Sequence, residues 1–148
     1  MRAGDLAVPF PAVKSSSPVL EAARLLADQN LPGLVVTDDG GRPITVLPGT
    51  QVLRLAVPAY IQDDPALARV IDEAHADKFL AELDGRTVAE ALPAQPKDLP
   101  IVTAAATVLE VAALMAASRS PLVAVVDAGG VLTGVITLDT LLDRMLNR

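Results

Sequence analysis

Apolar and polar positions along the chain follow one order twice. Pro18-Val19-Leu20-Glu21-Ala22-Ala23-Arg24-Leu25-Leu26-Ala27 returns as Thr107-Val108-Leu109-Glu110-Val111-Ala112-Ala113-Leu114-Met115-Ala116. The correspondence continues without a gap through Pro32 and Pro121, Asp38 and Asp127, Gly40-Gly41 and Gly129-Gly130, to Leu53 and Leu142. Identity at one constant offset over such a length marks a duplicated unit. Two such units usually pack about a pseudo-two-fold axis, with any binding site between them.

Each copy predicts the same elements. An extended piece opens it, at Pro11-Ala12-Val13-Lys14 and at Pro100-Ile101-Val102-Thr103. A helix follows. In copy two, Thr107 is placed as its N-cap and Glu110 completes a capping box, with Val108, Val111, Ala112, Met115 and Ala116 at helical spacing. In copy one the helix starts at Ser17 or Pro18, with Leu20, Ala23, Leu26 and Ala27 along its face. Leu34-Val35-Val36 and Leu122-Val123-Ala124-Val125-Val126 are unbroken apolar runs suited to strands buried on both faces. Asp38-Asp39-Gly40-Gly41 and Asp127-Ala128-Gly129-Gly130 supply the residues of tight hairpins. Ile44 to Leu47 and Leu132 to Ile136 return as strands, and helices around Val52–Leu55 and Leu141–Leu146 close the copies. The unit is β-α-β-β-α. Such a small unit cannot bury its apolar faces alone, so the copies should pair.

The expected boundaries are residues 1–57 for the first repeat, 58–86 for an inserted helical linker and 87–148 for the second repeat. In the insert, Asp64-Pro65 signals a helix start and Asp84-Gly85 its end. Leu67, Val70, Ile71, Ala74, Leu80 and Leu83 form a partial stripe, of which Leu67 to Ala74 is expected to lie on the module, leaving Glu73, Asp77 and Lys78 in water. Thr87-Val88-Ala89-Glu90 reads as a second capping box before Pro93.

Composition narrows the function. The net charge of -6 and scattered basic residues argue against a nucleic-acid partner. No cysteine is present, which removes disulfides and thiolate metal sites and fits a cytoplasmic location. Ile101 to Ala117 is the most apolar stretch, but Thr103, Thr107 and Glu110 interrupt it short of the roughly 20 residues of a membrane span. The start, Met1-Arg2-Ala3-Gly4-Asp5, lacks the apolar run of a signal peptide. His75 beside Asp72, Glu73 and Asp77 reads as a solvated helix surface, not a metal centre. With one histidine, in the non-repeated segment, no nucleophile–base pair is apparent and no enzyme is expected.

The tandem unit, its Asp-x-Gly-Gly hairpin and its Gly-Val-Ile-Thr strand end resemble the cystathionine-β-synthase (CBS) domain pair, here a stand-alone bacterial-type module. The resemblance covers nearly the whole chain outside roughly Pro58 to Arg86. It implies an α/β fold of two pseudo-symmetric repeats packed as a pair, which two modules commonly extend to a homodimer. It also implies inter-repeat clefts for adenosine-containing ligands (AMP, ADP, ATP, NAD or S-adenosylmethionine) that regulate a separate partner protein. The alternative is a ligand-independent interaction module for a partner enzyme or membrane transporter. The family's ligand signature is Gly, two apolar residues, Thr or Ser, two further residues, then Asp. Copy two supplies Gly134-Val135-Ile136-Thr137, but Thr140 stands at the aspartate position and Asp139 comes one place early. Copy one has Thr45, Pro48 and Gln51 for the glycine, threonine and aspartate. By resemblance, Val135, Ile136, Thr137, Asp139 and Thr140 form one wall of a ligand site, and Val13, Leu31 and Pro32 the other. A capping role at a helix start competes with ligand binding for Thr137 and Asp139.

Overall fold

The structure is a computed structural model that describes residues 1–31, 33–57, 59–70, 81–96 and 98–147. Copy one runs β1 (Ala12–Lys14), α2 (Val19–Asp28), β2 (Gly33–Thr37), β3 (Pro43–Pro48), α3 (Gly49–Ala56), after a short α1 (Ala3–Leu6). The connecting segment holds α4 (Ala59–Asp63), a 3₁₀ helix (Pro65–Val70) and α5 (Val88–Ala91). Copy two runs β4 (Ile101–Thr103), α6 (Val108–Ser118), β5 (Leu122–Val126), β6 (Leu132–Thr137), α7 (Leu138–Leu146). The β-α-β-β-α order holds in both copies.

Each copy builds one three-stranded sheet with its second strand in the centre. That position explains the unbroken apolar runs: β2 and β5 are buried at every residue. In copy two, β4 pairs parallel with β5 and β6 pairs antiparallel, with a register shift where Val125 faces Gly134 and Val126 faces Leu132. The hairpins form as their residues require. Asp38 Oδ1 accepts from the Gly40 and Arg42 amides at 2.9 Å, and Asp127 Oδ1 accepts from Gly129 and Val131 at 2.9 and 3.0 Å. Gly41 and Gly130 take φ of 84° and 83°, which glycine adopts without steric penalty.

Two compact units result. One holds Met1–Ala12, Thr37–Thr45 and Lys97–Arg148, and the other Val13–Val36 and Val46–Pro96. The first contains most of copy two together with the tip of the copy-one hairpin. There Leu132 N donates to Gly41 O at 3.0 Å and Arg42 Nε to Gly129 O at 3.2 Å. Its core joins Ala3 and Leu6 to Val102, Val111, Met115, Val123, Val125, Ile136 and Leu141. The core of the second joins Val13, Val19, Ala22, Leu26, Leu34, Val36, Leu47 and Val52 to Leu83, Val88 and Ala91.

The short helices are exchanged. α1 precedes copy one yet docks on copy two, its first amides donating from Ala3 and Gly4 to the carbonyls of Ala106 and Ala104 at 2.8 and 3.0 Å. α5 precedes copy two yet docks on copy one, its first amides donating from Val88 and Ala89 to the carbonyls of Ser17 and Ser15, both at 2.9 Å. A helix of four residues leaves most of its end groups unpaired, so these carbonyls supply what its own backbone cannot.

Several sequence expectations change. Gly4 and Asp5 lie within α1, a helix the sequence pattern did not predict, and the Asp5 carboxylate accepts from Arg2 N at 2.9 Å. Thr87 is the N-cap of α5 but its side chain makes no cap bond: the Val88 and Ala89 amides donate to the Ser17 and Ser15 carbonyls and the Glu90 amide to Thr87 O, while the Glu90 carboxylate lies 3.7 Å from Arg86. The buried stripe of α2 is Val19, Ala22 and Leu26, with Leu20 and Ala23 at its margin and Ala27 exposed. On α6, Val111 and Met115 are buried while Ala116 is exposed. In the connecting segment, Leu67 of the stripe remains 38% exposed, Leu83 of the stripe is buried, and Ile61, outside it, is buried as well. Asp64 opens the 3₁₀ helix as read, its carbonyl accepting from Leu67 N at 3.0 Å. Ile71, Ala74, Leu80, Glu73, Asp77, Lys78 and His75 lie outside the described residues.

Candidate functional site at the start of the last helix

The end of β6 is the part of copy two that carries the candidate chemistry. Gly134 sits where α1 leads into the extended segment beyond it: an added Cβ would lie 3.1 Å from Ala7 Cβ and 3.3 Å from Val8 O. A side chain here would press on both neighbours, so glycine eases this close approach of the two backbones. Val8 then forms a bridge to Val135, its amide donating to Val135 O and its carbonyl accepting from Val135 N, each at 2.9 Å. Val135 and Ile136 are fully buried, and Ile136 belongs to the copy-two core. Their side chains therefore shape the floor of the strand end and do not present themselves at the surface.

Thr137 ends β6 and caps α7. Its Oγ1 accepts from Thr140 N at 3.4 Å and lies 2.9 Å from Thr140 Oγ1. Leu138 N, freed by the helix start, donates to Pro121 O at 2.9 Å. Asp139 is exposed on the same first turn. The Thr137 hydroxyl beside it holds its carboxyl below the usual carboxylate value, and the backbone amides of Asp139 and Thr140 act in the same direction. A carboxylate near a helix N-terminus is favoured by the helix dipole as well. Capping is thus the role of Thr137 in this structure, while Asp139 is not a cap: it stands inside the first turn with its carboxylate toward solvent. Two half-buried hydroxyls and one ionised carboxylate share this turn.

The remaining predicted residues belong to copy one. Val13 is buried in the copy-one core, Leu31 packs against that core half-buried, and Pro32 lies outside the described residues. The corresponding strand end of copy one has no cap hydroxyl, because Pro48 occupies the N-cap of α3. Thr45, at the place of Gly134, is fully buried. No group of three or more metal-ligating side chains occurs among the described residues. Nor is any described helix long and apolar enough to cross a membrane.

Sequence reading missed Ala7 and Val8, which cover the β6 edge. A signal existed. Asp5-Leu6 corresponds to Glu90-Ala91, but at a different spacing from the rest of the repeat, so a constant offset passes over it.

A second feature of copy two is an apolar groove of about 620 Å³ between α6 and α7. Ala112, Met115 and Ala116 form one wall, Leu138, Leu142 and Met145 the other, and Arg119 stands at its end. Arg119 closes α6 in the left-handed region at φ 56°, as Asn30 closes α2 at φ 52°.

The CBS domain family matches this chain twice, over residues 3–55 and 95–147. The chain belongs to the CBS domain family. A CBS domain-containing protein of unknown function from Kribbella flavida DSM 17836 is 50% identical to this CBS pair, with a TM-score of 0.93 over 99% of each chain. The Arabidopsis thaliana CBS-pair protein CBSX2, solved in complex with AMP, is 24% identical with a TM-score of 0.67, over 98% of this chain and 96% of that one. The CBS domain of a bacterial CNNM/CorC family Mg2+ transporter is 13% identical with a TM-score of 0.69, over 100% of this chain and 76% of that one. The last two share the fold with this CBS pair. Among curated proteins, none matches it in sequence.

Proposed function

We propose that this CBS pair is a non-catalytic regulatory module that binds an adenosine-containing ligand beside the first turn of α7 and modulates a separate partner polypeptide. One observation carries the reading. The exposed Asp139 carboxylate is held ionised next to the hydroxyls of Thr137 and Thr140. A carboxylate accepts from both hydroxyls of a ribose, and the threonines add donors and acceptors at its edge. Asp139 takes the task that the family signature gives to the position held here by Thr140. The complex of CBSX2 with AMP makes AMP the first ligand to test. ADP, ATP, NAD and S-adenosylmethionine follow. Regulation requires only that the ligand prefer one packing state of the module over another. The module works as a homodimer, a reading supported by α3, α6 and α7 leaving Leu53, Leu109, Leu142 and Leu146 substantially exposed.

Thermal-shift and calorimetric titration against those five ligands tests the reading. A ligand at about 100 times its Kd stabilises the fold by about 2.7 kcal/mol, raising Tm by roughly 5–10 °C. Silence across the panel favours the second reading, a ligand-independent interaction module. The observation on its side is that Val135 has both backbone groups engaged by Val8 and Thr137 is already spent as a helix cap.

A further inference from the structure

The two exchanged helices are not equivalent. Beyond α1 the backbone goes on to pair with a strand, where Val8 exchanges both hydrogen bonds with Val135. Beyond α5 it cannot do the same, because the residue at the place of Val8 is Pro93, which has no amide to donate. Two glycines fit the first segment to copy two. A Cβ on Gly4 would lie 3.0 Å from Ala104 Cβ, and one on Gly134 would lie 3.1 Å from Ala7 Cβ. Copy one has Ala89 and Thr45 at the corresponding places. Among the described residues no isolated bridge forms at Val46, the counterpart of Val135. The extra pairing is therefore built into the copy that also carries Thr137, Asp139 and Thr140 at a helix start.

The segment Arg2 to Val8 has two states by construction. A helix of four residues does not persist alone. α1 exists where copy two supplies the carbonyls of Ala104 and Ala106 for its amides and a core for Ala3 and Leu6. The Arg2 guanidinium adds a bond to Ala105 O at 3.2 Å. With the segment docked, Val135 lies between Ala124 of β5 and Val8. Two residues on, Thr137 ends the same strand and caps α7. With the segment released, β6 becomes an open edge and its last residues lose one of their two lateral restraints. A ligand that grips the first turn of α7 needs this strand end fixed, so it binds the docked state better. By linkage, docking raises the affinity for the ligand by the same factor.

We infer that Arg2–Val8 is a strap whose docking on copy two is coupled to ligand occupancy at the first turn of α7, so that the module signals by closing or releasing it. This rests on the ligand reading given above. Amide exchange followed by NMR tests it, with Val123 of the central strand as reference. Val8 is expected to exchange by local opening, faster than Val123 and with a weaker dependence on urea. Saturating AMP, or whichever of the five compounds titrates, is expected to slow Val8 exchange by about fivefold or more. Val8→Pro, which places copy one's residue at this point, is expected to speed exchange at Val135 and to weaken binding of that compound by up to the same factor, with native circular dichroism. Where Val8→Pro leaves Val135 protected, Leu6→Ala opens the strap by removing its buried side chain, and the same loss of affinity is expected. Equal exchange at Val8 and Val123, with equal urea dependence, overturns the strap as a separate unit. Binding that leaves Val8 exchange unchanged, or wild-type affinity in a variant whose strap has opened, overturns the coupling and leaves the ligand reading standing. Silence from all five compounds overturns the ligand reading and the coupling with it.

Discussion

Val8 and Val135 exchange both backbone hydrogen bonds at 2.9 Å, so a residue ahead of β1 completes the edge of the last strand of the second copy. Gly134 makes this approach feasible, with Ala7 as the nearest side chain. Gly134→Val should therefore destabilise the protein by about 1–3 kcal/mol through overpacking. Hydrogen exchange at the Val8 and Val135 amides should quicken with it. Gly134→Ala combined with Ala7→Gly should recover stability relative to Gly134→Ala alone, a coupling that a double-mutant cycle in urea measures. Additive effects would mean that the two residues do not meet.

How much of this the sequence discloses depends on whether a local rule decides the element. The central strands were legible because burial on both faces demands unbroken apolar runs such as Leu122 to Val126. The hairpins were legible because Asp127 and Gly130 act within four residues of each other. The Thr107 cap was legible for the same reason, its Oγ1 accepting from Glu110 N at 3.1 Å. Where distant groups decide, local reading fails. Thr87 carries the same cap signature as Thr107, yet its hydroxyl makes no cap bond: the Val88 and Ala89 amides donate to the carbonyls of Ser17 and Ser15, and the Glu90 amide to the Thr87 carbonyl. Ala3 to Leu6 is too short to declare a helix by periodicity, and its stability comes from Ala104 and Ala106. In the candidate site, the Thr137 cap was legible from its place at the helix start, while the covering segment at Ala7 and Val8 is set by pairing with a distant strand.

Thr137→Val separates the two roles of this hydroxyl. Loss of the cap should cost about 1 kcal/mol of stability, seen as a lower urea midpoint with an unchanged slope. If the hydroxyl also meets the ligand, affinity for the adenosine compound found by titration should fall a few-fold to about tenfold. Thr137→Ser should keep both properties. A variant with the stability loss but wild-type affinity confines Thr137 to capping.

Arg119 holds a left-handed backbone conformation at φ 56°, which penalises a side chain with an ordinary Cβ. Copy one places Asn30 at the same point, a residue that tolerates it. Arg119→Asn should stabilise the fold by up to about 1 kcal/mol. A rise in Tm checks this, and a fall would show that the arginine side chain makes a compensating contact along the groove.

Asp139 supplies the pH-dependent prediction. Its carboxyl titrates below the ordinary value of 3.8, chiefly because the Thr137 hydroxyl favours the ionised form. A carboxyl whose folded value is depressed contributes stability that is present above its unfolded value and lost as pH falls through the folded one. The loss should therefore begin below about pH 4 and continue into stronger acid. Asp139→Asn should flatten the acid limb of the Tm profile and leave the neutral region nearly unchanged. Titration of the Asp139 side-chain carbon by NMR gives the direct measurement. In Thr137→Val the midpoint should move up toward 3.8. A midpoint that stays where it was would assign the depression to the helix amides instead, and would take Thr137 out of the account of how this carboxylate is kept ready for a ribose.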